Sequence, residues 1–324
     1  MKKLIAISSL LISSFAANAA SVNIALDTNP DRDKSGSYRY ADNLLTALGE
    51  QGWDTDYFAR DTLGGEDERL DQIRSGILDL SLSKYSAATQ FIPEMQVLQL
   101  PYTFRDSDHQ LAFMLESDYL EKVNDQLASE GMRVMAIVPT GGFLGIFNNQ
   151  KTVKNAADMA GLRMRALDPA QLEMFEMMGA SGVVIPFSEV PNALQTGIAD
   201  GYINASSVPL MFGQTDLLDY FTDAKLIMSA RLVLASDYWW ESLSDEEKAE
   251  FNEASVAAQK EVFAWINKSE IEHQNELVEA GIEVYEPTAE DLQSFKDSTA
   301  EMSQHIKGVS VDRVKEIQAM IAEY

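Results

Sequence analysis

The chain has 324 residues and no cysteine, and its 25 lysine and arginine residues against 51 aspartate and glutamate residues give a formal net charge of −26. The missing cysteines exclude disulfides, thiolate nucleophiles, lipid-modified cysteines and cysteine-ligated metals, and the negative charge argues against nucleic acid or anionic lipid as a partner. The length allows about two domains, each with a sizeable core.

The first residues predict export. "MKK" is a basic start, "LIAISSLLISSFAA" is a short apolar run, and "ANA" at 17–19 places small residues where signal peptidase cleaves. The apolar run is too short and too rich in serine to remain in a bilayer. Residues 1–19 are therefore predicted to be a cleaved signal peptide, and the remainder a soluble exported protein.

Strands and helices alternate along the first half of the chain. Short apolar or alternating runs predict strands at "SVNIALD", "DTDYFA", "ILDLSLS" and "MRVMAIVPT". Apolar spacing near 3.6 residues with a glycine at the end predicts helices at "SGSYRYADNLLTALGEQG" and "GGEDERLDQIRSG", and "DHQLAFMLESDYLEKVNDQLASEG" carries one helix or two. This alternation predicts an α/β fold with a largely parallel sheet.

The second half repeats the pattern. "GGFLGIFNNQ" predicts a strand after a glycine turn, and further strands are predicted at "LRMRAL", "GVVIPF", "ADGYINA", "ARLVLAS" and "IEVYEP". "PAQLEMFEMMG" predicts a helix, and "SEVPNALQTG" a helix that Ser188 caps.

A much longer helix is predicted near the C-terminus. Ser244 and Glu247 have the spacing of a capping box, and the helical pattern then continues to Gly281 without internal glycine or proline. Such a helix would be ~55 Å long, which exceeds the width of one ordinary domain. We therefore expect two α/β lobes with this helix along both, and a cleft between them where strand ends and helix starts gather around a ligand.

Motifs for catalysis are missing from the sequence. His109, His273 and His305 are far apart and are predicted to be surface residues, and there is no G-x-S-x-G, H-E-x-x-H or Walker sequence. We therefore predict no cofactor and no metal. An exported hydrolase that uses a pair of carboxylates stays open as an alternative.

Two arginines stand in the apolar run "GLRMRAL". Alternation places Arg163 and Arg165 on one face of a strand, with Arg163 near solvent and Arg165 deeper. A buried guanidinium needs a partner, which is either an internal carboxylate or the carboxylate of a ligand, and the spacing does not decide between them. Tyr85 and Trp239 follow predicted strands, where an aromatic side chain either lines a cleft or packs in the core.

Residues 161–204 resemble the solute receptors of TRAP transporters, of the C4-dicarboxylate-binding-protein type. The similar pieces are G-L-R-M-R at 161–165, P-F-S-E-V-P-N-A-L-Q-T-G at 186–197 and D-G-Y-I-N at 200–204. "LGGEDERLDQIRSGILDLSL", "VLQLPYTFRDSDH" and the long capped helix agree more loosely with the same family. The resemblance extends over essentially the whole chain after residue 19.

This resemblance implies a two-lobed periplasmic binding protein that closes on a small organic acid and delivers it, as a monomer, to the membrane subunits of a TRAP permease. It implies a first lobe of residues 20–142 plus 231–270 and a second lobe of residues 143–230 plus 271–324. A ligand sensor for a signalling partner is the other alternative. The ligand-binding residues that we expect are Arg165 for the carboxylate, Asn204, Glu66, Phe187, Tyr85 and Trp239.

The chain departs from the family pattern at one position. Many members carry a second cleft arginine in the segment that reads "GGFLGIFNNQ" here, and Leu144 stands at or beside its position. A ligand with two carboxylates would lose one counter-charge, so we expect a monocarboxylate or a zwitterion. The counter-possibility is that the first lobe supplies the second charge from Arg60, Arg69 or Lys84.

Overall fold

A computed structural model describes residues 19–324, so the predicted signal peptide lies outside the described residues except for Ala19. Within that range the strands are β1 (Ser21–Ala25), β2 (Asp54–Phe58), β3 (Leu80–Ser83), β4 (Met132–Phe143), β5 (Gly145–Asn148), β6 (Arg163–Ala166), β7 (Ser181–Val184), β8 (Gly201–Asn204), β9 (Tyr220–Thr222), β10 (Met228–Ser236) and β11 (Glu283–Tyr285). The helices are α1 (Gly36–Glu50), α2 (Glu66–Arg74), α3 (Ser86–Thr89), α4 (Ser107–Glu116), α5 (Tyr119–Leu127), α6 (Pro169–Met177), α7 (Val190–Gln195), α8 (Ser207–Met211), α9 (Asp237–Ser242), α10 (Asp245–Glu279), α11 (Ala289–Thr299) and α12 (Val311–Ile321).

The strands form two sheets. The first has the order β2-β1-β3-β10-β4, and the second has the order β11-β9-β5-β8-β6-β7. Each sheet is parallel apart from one strand, which is β10 in the first and β5 in the second. The two-sheet α/β architecture that the alternation predicted is confirmed.

The chain passes between the sheets at two adjacent places. It leaves the first sheet at Leu144, between β4 and β5, and returns through residues 223–227, between β9 and β10. The two passages bond to each other: the Leu144 N–H donates to the Ile227 carbonyl at 2.8 Å, and the Leu226 N–H donates to the Leu144 carbonyl at 3.0 Å. This pair of bonded passages has the form of a hinge.

Helix α10 is a third link between the sheets. It has 35 residues, and its capping box is present because Ser244 Oγ accepts from the Glu247 N–H while the Glu247 carboxylate accepts from the Ser244 N–H. It packs against α1, α4 and β4 on the side of the first sheet and against α8 and β11 on the side of the second. The predicted long helix that lies along both sheets is therefore confirmed.

Two local predictions are wrong. The glycines of "TGGF" form no turn, because 141–143 continue β4; they are needed there because a Cβ on Gly141 would lie 2.7 Å from the Ala205 methyl. Ser188 does not cap α7, because a 3-10 turn at Phe187–Glu189 leads directly into that helix. The long segment before β4 divides into two helices at residues 117–118.

Candidate ligand-binding site

A cavity of about 600 Å³ lies where the two sheets face each other. The chain reaches its wall directly after β1, β2 and β3 of the first sheet and after β6, β7 and β8 of the second. Helices α2 and α6 also begin at this wall. The carboxyl ends of parallel strands and the starts of helices are the usual ligand-binding edge of an open α/β sheet, so this cavity is the candidate site.

Arg165 lies in the wall that the second sheet provides. It is 3% exposed, its Nε donates to the Ile185 carbonyl at 2.8 Å, and its Nη2 has no hydrogen-bond partner among the described residues. No carboxylate of the described chain lies within ion-pair distance of it. Burial, followed by the positive charge of Arg231, lowers the pKa of Arg165 to about 10, so the group stays charged at neutral pH. The internal salt bridge that the sequence left open is absent from the described structure.

Arg163, two residues earlier on β6, has a different environment. It is exposed, and its guanidinium forms an ion pair with the buried Asp200 at 2.7 Å. Hydrogen bonds to Asp200 raise the pKa of Arg163. The predicted division between a solvent-facing Arg163 and a buried Arg165 is confirmed.

Three other expected residues line the same cavity. Asn204 ends β8, and its side-chain oxygen accepts from the Ala205 N–H at 3.1 Å, which leaves its amide NH₂ free to turn toward a ligand. Glu66 begins α2 and accepts from the Lys84 N–H at 3.0 Å. Phe187 places its ring 5.7 Å from the Arg165 guanidinium. Together with Arg165 these residues provide a cation, an amide, a carboxylate and an aromatic face.

The structure places Tyr85 and Trp239 away from this lining. Tyr85 is 4% exposed and packs in the largest core cluster. Trp239 lies in α9, packs edge-on against Phe251, and donates its indole N–H to the Ser21 carbonyl at 2.9 Å. Both aromatic rings contribute to packing at these positions.

The prediction of surface histidines is wrong at two of three positions. His109 and His273 are buried, and a ring nitrogen of each lies 2.8 Å from a backbone carbonyl, that of Ile321 and that of Asp33 respectively. Each buried ring therefore has a hydrogen-bond partner inside the protein. Among residues 19–324 no group of three or more His, Asp or Glu side chains is arranged to hold a metal ion.

The sequence analysis missed Asp27 and Arg231. Both line the cavity from the first sheet, and the Arg231 Nε lies 2.6 Å from the Asp27 carboxylate. The available signal was Arg231 at the start of the apolar run "RLVLAS", the same kind of feature that identified Arg165. It was overlooked because the sequence does not show that β10 returns to the first sheet beside the cavity.

The other cations in the first-sheet wall are held by the protein itself. Arg60 pairs with Asp61 at 3.3 Å, and Lys84 pairs with Asp67 at 3.3 Å. Arg69 is buried and donates to Ser81 Oγ and to the Leu82 carbonyl, at 3.3 and 3.2 Å. Leu144, which stands at or beside the position of the family's second cleft arginine, is a buried apolar residue of the lining.

Comparison with known proteins identifies the family. Residues 52–307 match the DctP family, which is described as "Bacterial extracellular solute-binding protein, family 7". The 2,3-diketo-L-gulonate-binding periplasmic protein YiaO of Escherichia coli is 26% identical over 246 residues, 74% of this chain and 73% of that protein. The ectoine/5-hydroxyectoine-binding periplasmic protein UehA of Ruegeria pomeroyi is 25% identical over 250 residues, 76% of this chain and 73% of that protein.

A solved structure agrees. The TRAP periplasmic solute-binding protein of Sulfurospirillum deleyianum, with bound succinate, matches with a TM-score of 0.81 at 22% identity, over 93% of this chain and 99% of that one. This match confirms the two-lobed fold. In residues 19–324 no helix combines the length and apolar character needed to cross a membrane. The hydrolase alternative is wrong, because the family and its structural neighbours are binding receptors. The chain belongs to the DctP family, family 7 of the bacterial extracellular solute-binding proteins.

Proposed function

We propose that this protein is the periplasmic receptor of a TRAP transporter, and that the two lobes close on one small organic acid whose carboxylate binds Arg165 and Asn204. The predicted signal peptide would direct it to the periplasm, and the closed monomer would deliver the acid to the membrane subunits of the permease. The expected lobe bounds, residues 20–142 plus 231–270 and 143–230 plus 271–324, are part of this proposal.

The observation that carries the proposal is the state of Arg165. A buried guanidinium with an unsatisfied nitrogen is costly unless something supplies the missing acceptor. A ligand carboxylate would supply it in the bidentate geometry that suits the planar fork. Phe187 covers one side of this position, and the Asn204 amide offers a further donor.

Closure is supported by contacts across the cavity. Arg60 comes from the loop after β2, and its guanidinium carbon lies 5.3 Å from the Phe187 ring and 5.2 Å from the Phe212 ring on the opposite side. Contacts of this kind favour the arrangement in which both walls touch the ligand. The hinge at Leu144 and residues 223–227 would absorb the motion.

The test is a thermal-shift screen of organic acids, followed by calorimetry with the acids that raise the melting temperature. We expect Arg165→Ala to weaken binding by at least about a hundredfold, because it leaves the ligand charge buried and unpaired. Arg165→Lys should also weaken binding strongly, since a lysine offers a point charge without the fork.

Arg163→Lys is the matched control. It makes the same change two residues away on the same strand, where the side chain faces solvent and pairs with Asp200. Binding should be retained in this variant. Wild-type affinity in Arg165→Ala would refute the assignment.

A further inference from the structure

Arg231 is a second arginine in the cavity, on the wall opposite Arg165. Its side chain is 22% exposed, and its Nε donates to the Asp27 carboxylate at 2.6 Å. The Asp27 side chain is only 4% exposed, and its other oxygen accepts from Ser37 Oγ at 3.0 Å. The Arg231 guanidinium is therefore held by a buried carboxylate that is itself fixed in place.

The electrostatics of Arg231 differ from those of Arg165. Burial alone would lower the pKa of Arg231, but the negative charges of Glu66 and Asp27 raise it above its usual range. The positive charge of Arg231 in turn lowers the pKa of Arg165, so the two guanidinium groups are close enough to repel each other. One arginine is neutralised by the protein, and the other is not.

We define the charge cluster as the two arginines and two carboxylates that this ion pair and these charge interactions join at the cavity wall, namely Asp27, Glu66, Arg165 and Arg231. Within the cluster Asp27 holds Arg231 in an ion pair, whereas Arg165 has no carboxylate within ion-pair distance among the described residues. The remaining charged residues of the lining have other partners. Arg60 pairs with Asp61 and Lys84 pairs with Asp67, while Glu68 and Asp168 cap α2 and α6. Arg69 donates to Ser81 Oγ and to the Leu82 carbonyl.

We propose that the Asp27–Arg231 ion pair sets the number of carboxylates that the ligand carries. Asp27 neutralises Arg231, so Arg165 is left to balance one ligand carboxylate, and a second carboxylate at the far end of the ligand is disfavoured. The far end of the ligand meets the Glu66 carboxylate, which accepts hydrogen bonds, so it carries donor groups such as hydroxyls or a protonated nitrogen. This inference rests on the proposed function, because it assumes that an acid binds Arg165.

The test compares succinate with succinamate, which has nearly the same shape but an amide in place of one carboxylate. Calorimetry, supported by thermal shift at millimolar probe, gives the ratio of their dissociation constants. Wild type should bind succinamate more tightly. Asp27→Asn should shift the ratio toward succinate by at least about tenfold, because it frees the Arg231 charge at short range in a partly buried site.

The substitution Asp27→Asn is chosen to preserve the fold. The asparagine oxygen can still accept from Arg231 while its NH₂ donates to Ser37 Oγ. Asp67→Asn is the matched control, because it removes the same charge from the lining at a side chain that is 89% exposed and pairs with Lys84. The ratio should not change in that variant. If Asp27→Asn does not fold, Glu66→Gln removes the other carboxylate near Arg231 and should shift the ratio in the same direction.

The outcomes separate this inference from the proposed function. The role of the ion pair is overturned if the folded Asp27→Asn protein keeps the wild-type ratio of the succinate and succinamate dissociation constants. It is also overturned if this variant does not bind succinate at all. If Arg165→Ala still abolishes binding of the acids found in the screen, the proposed function stands by itself. Undiminished binding in Arg165→Ala would overturn the proposed function first.

Discussion

Glu270 is a half-buried carboxyl group beside the hinge, and it should make the stability of the protein depend on pH. It lies on α10 against the end of β4, so closely that a Cβ on Gly142 would be 2.5 Å from its carboxyl carbon. Burial, followed by the negative charge of Asp223, raises the pKa of Glu270 from its ordinary 4.5 to about 7. Asp223 is fully buried, and the Lys225 Nζ lies 3.6 Å from its carboxylate.

The sign follows from proton binding. Between pH 4.5 and about 7 the folded protein keeps the Glu270 proton while the unfolded chain has lost it, so the free energy of unfolding falls as the pH rises through this window. Below this window Glu270 is protonated in both states, so it adds no pH dependence. Above the window Glu270 is ionised in both states, and its burial has then lowered the free energy of unfolding by at most ~3 kcal/mol. Glu270→Gln removes this dependence because an amide does not titrate.

The measurement is urea unfolding of both proteins at pH 5 and pH 8. The wild type should lose about 2 kcal/mol more than Glu270→Gln between these two values. Glu272→Gln, an exposed glutamate two residues along the same helix, is the control and should follow the wild type. Parallel stability profiles for wild type and Glu270→Gln would refute the reasoning.

Two further predictions concern a residue that should affect ligand affinity, Arg60, and a residue that should affect only stability, Trp239. Arg60→Met removes the cation that lies over Phe187 and Phe212, and it should weaken calorimetric affinity several-fold, since such contacts contribute about 0.5–1 kcal/mol each; an unchanged affinity would show that the contact does not favour closure. Trp239→Phe removes the indole bond to Ser21 and should lower the free energy of unfolding by about 1 kcal/mol while leaving affinity unchanged; a tenfold loss of affinity would return Trp239 to the binding site.

The order of elements could be predicted from the sequence because hydrophobic periodicity is a local signal. The capped α10 and the strand around Arg165 were both found in this way. The path of the chain between sheets could not be predicted, because it depends on pairing between distant strands. The glycines of "TGGF" illustrate this: a local rule predicts a turn, but the close approach of Ala205 requires glycine inside a strand.

The candidate site was predictable to a similar extent. Spacing placed Arg165 on a buried face but left its partner undecided, and only the folded chain shows that its Nη2 has no hydrogen-bond acceptor among the described residues. Aromatic residues after strands were a weaker signal, because α9 turns Trp239 into the core. Arg231 and Asp27 are about 200 residues apart in sequence, and no local pattern joins them.

The insertion of β10 between β3 and β4 also has consequences for folding. Leu232 pairs with Ser83 about 150 residues earlier, so the first sheet cannot be completed until nearly three quarters of the chain is available. Contacts between such distant residues slow folding, and until they form, β3 and β4 each have an open edge that can pair with other chains. A fragment that ends before residue 228 should therefore aggregate rather than fold as an isolated lobe. A shortened version of this protein would need to keep β10, for example in a circularly permuted chain that brings β10 closer in sequence to β3 and β4.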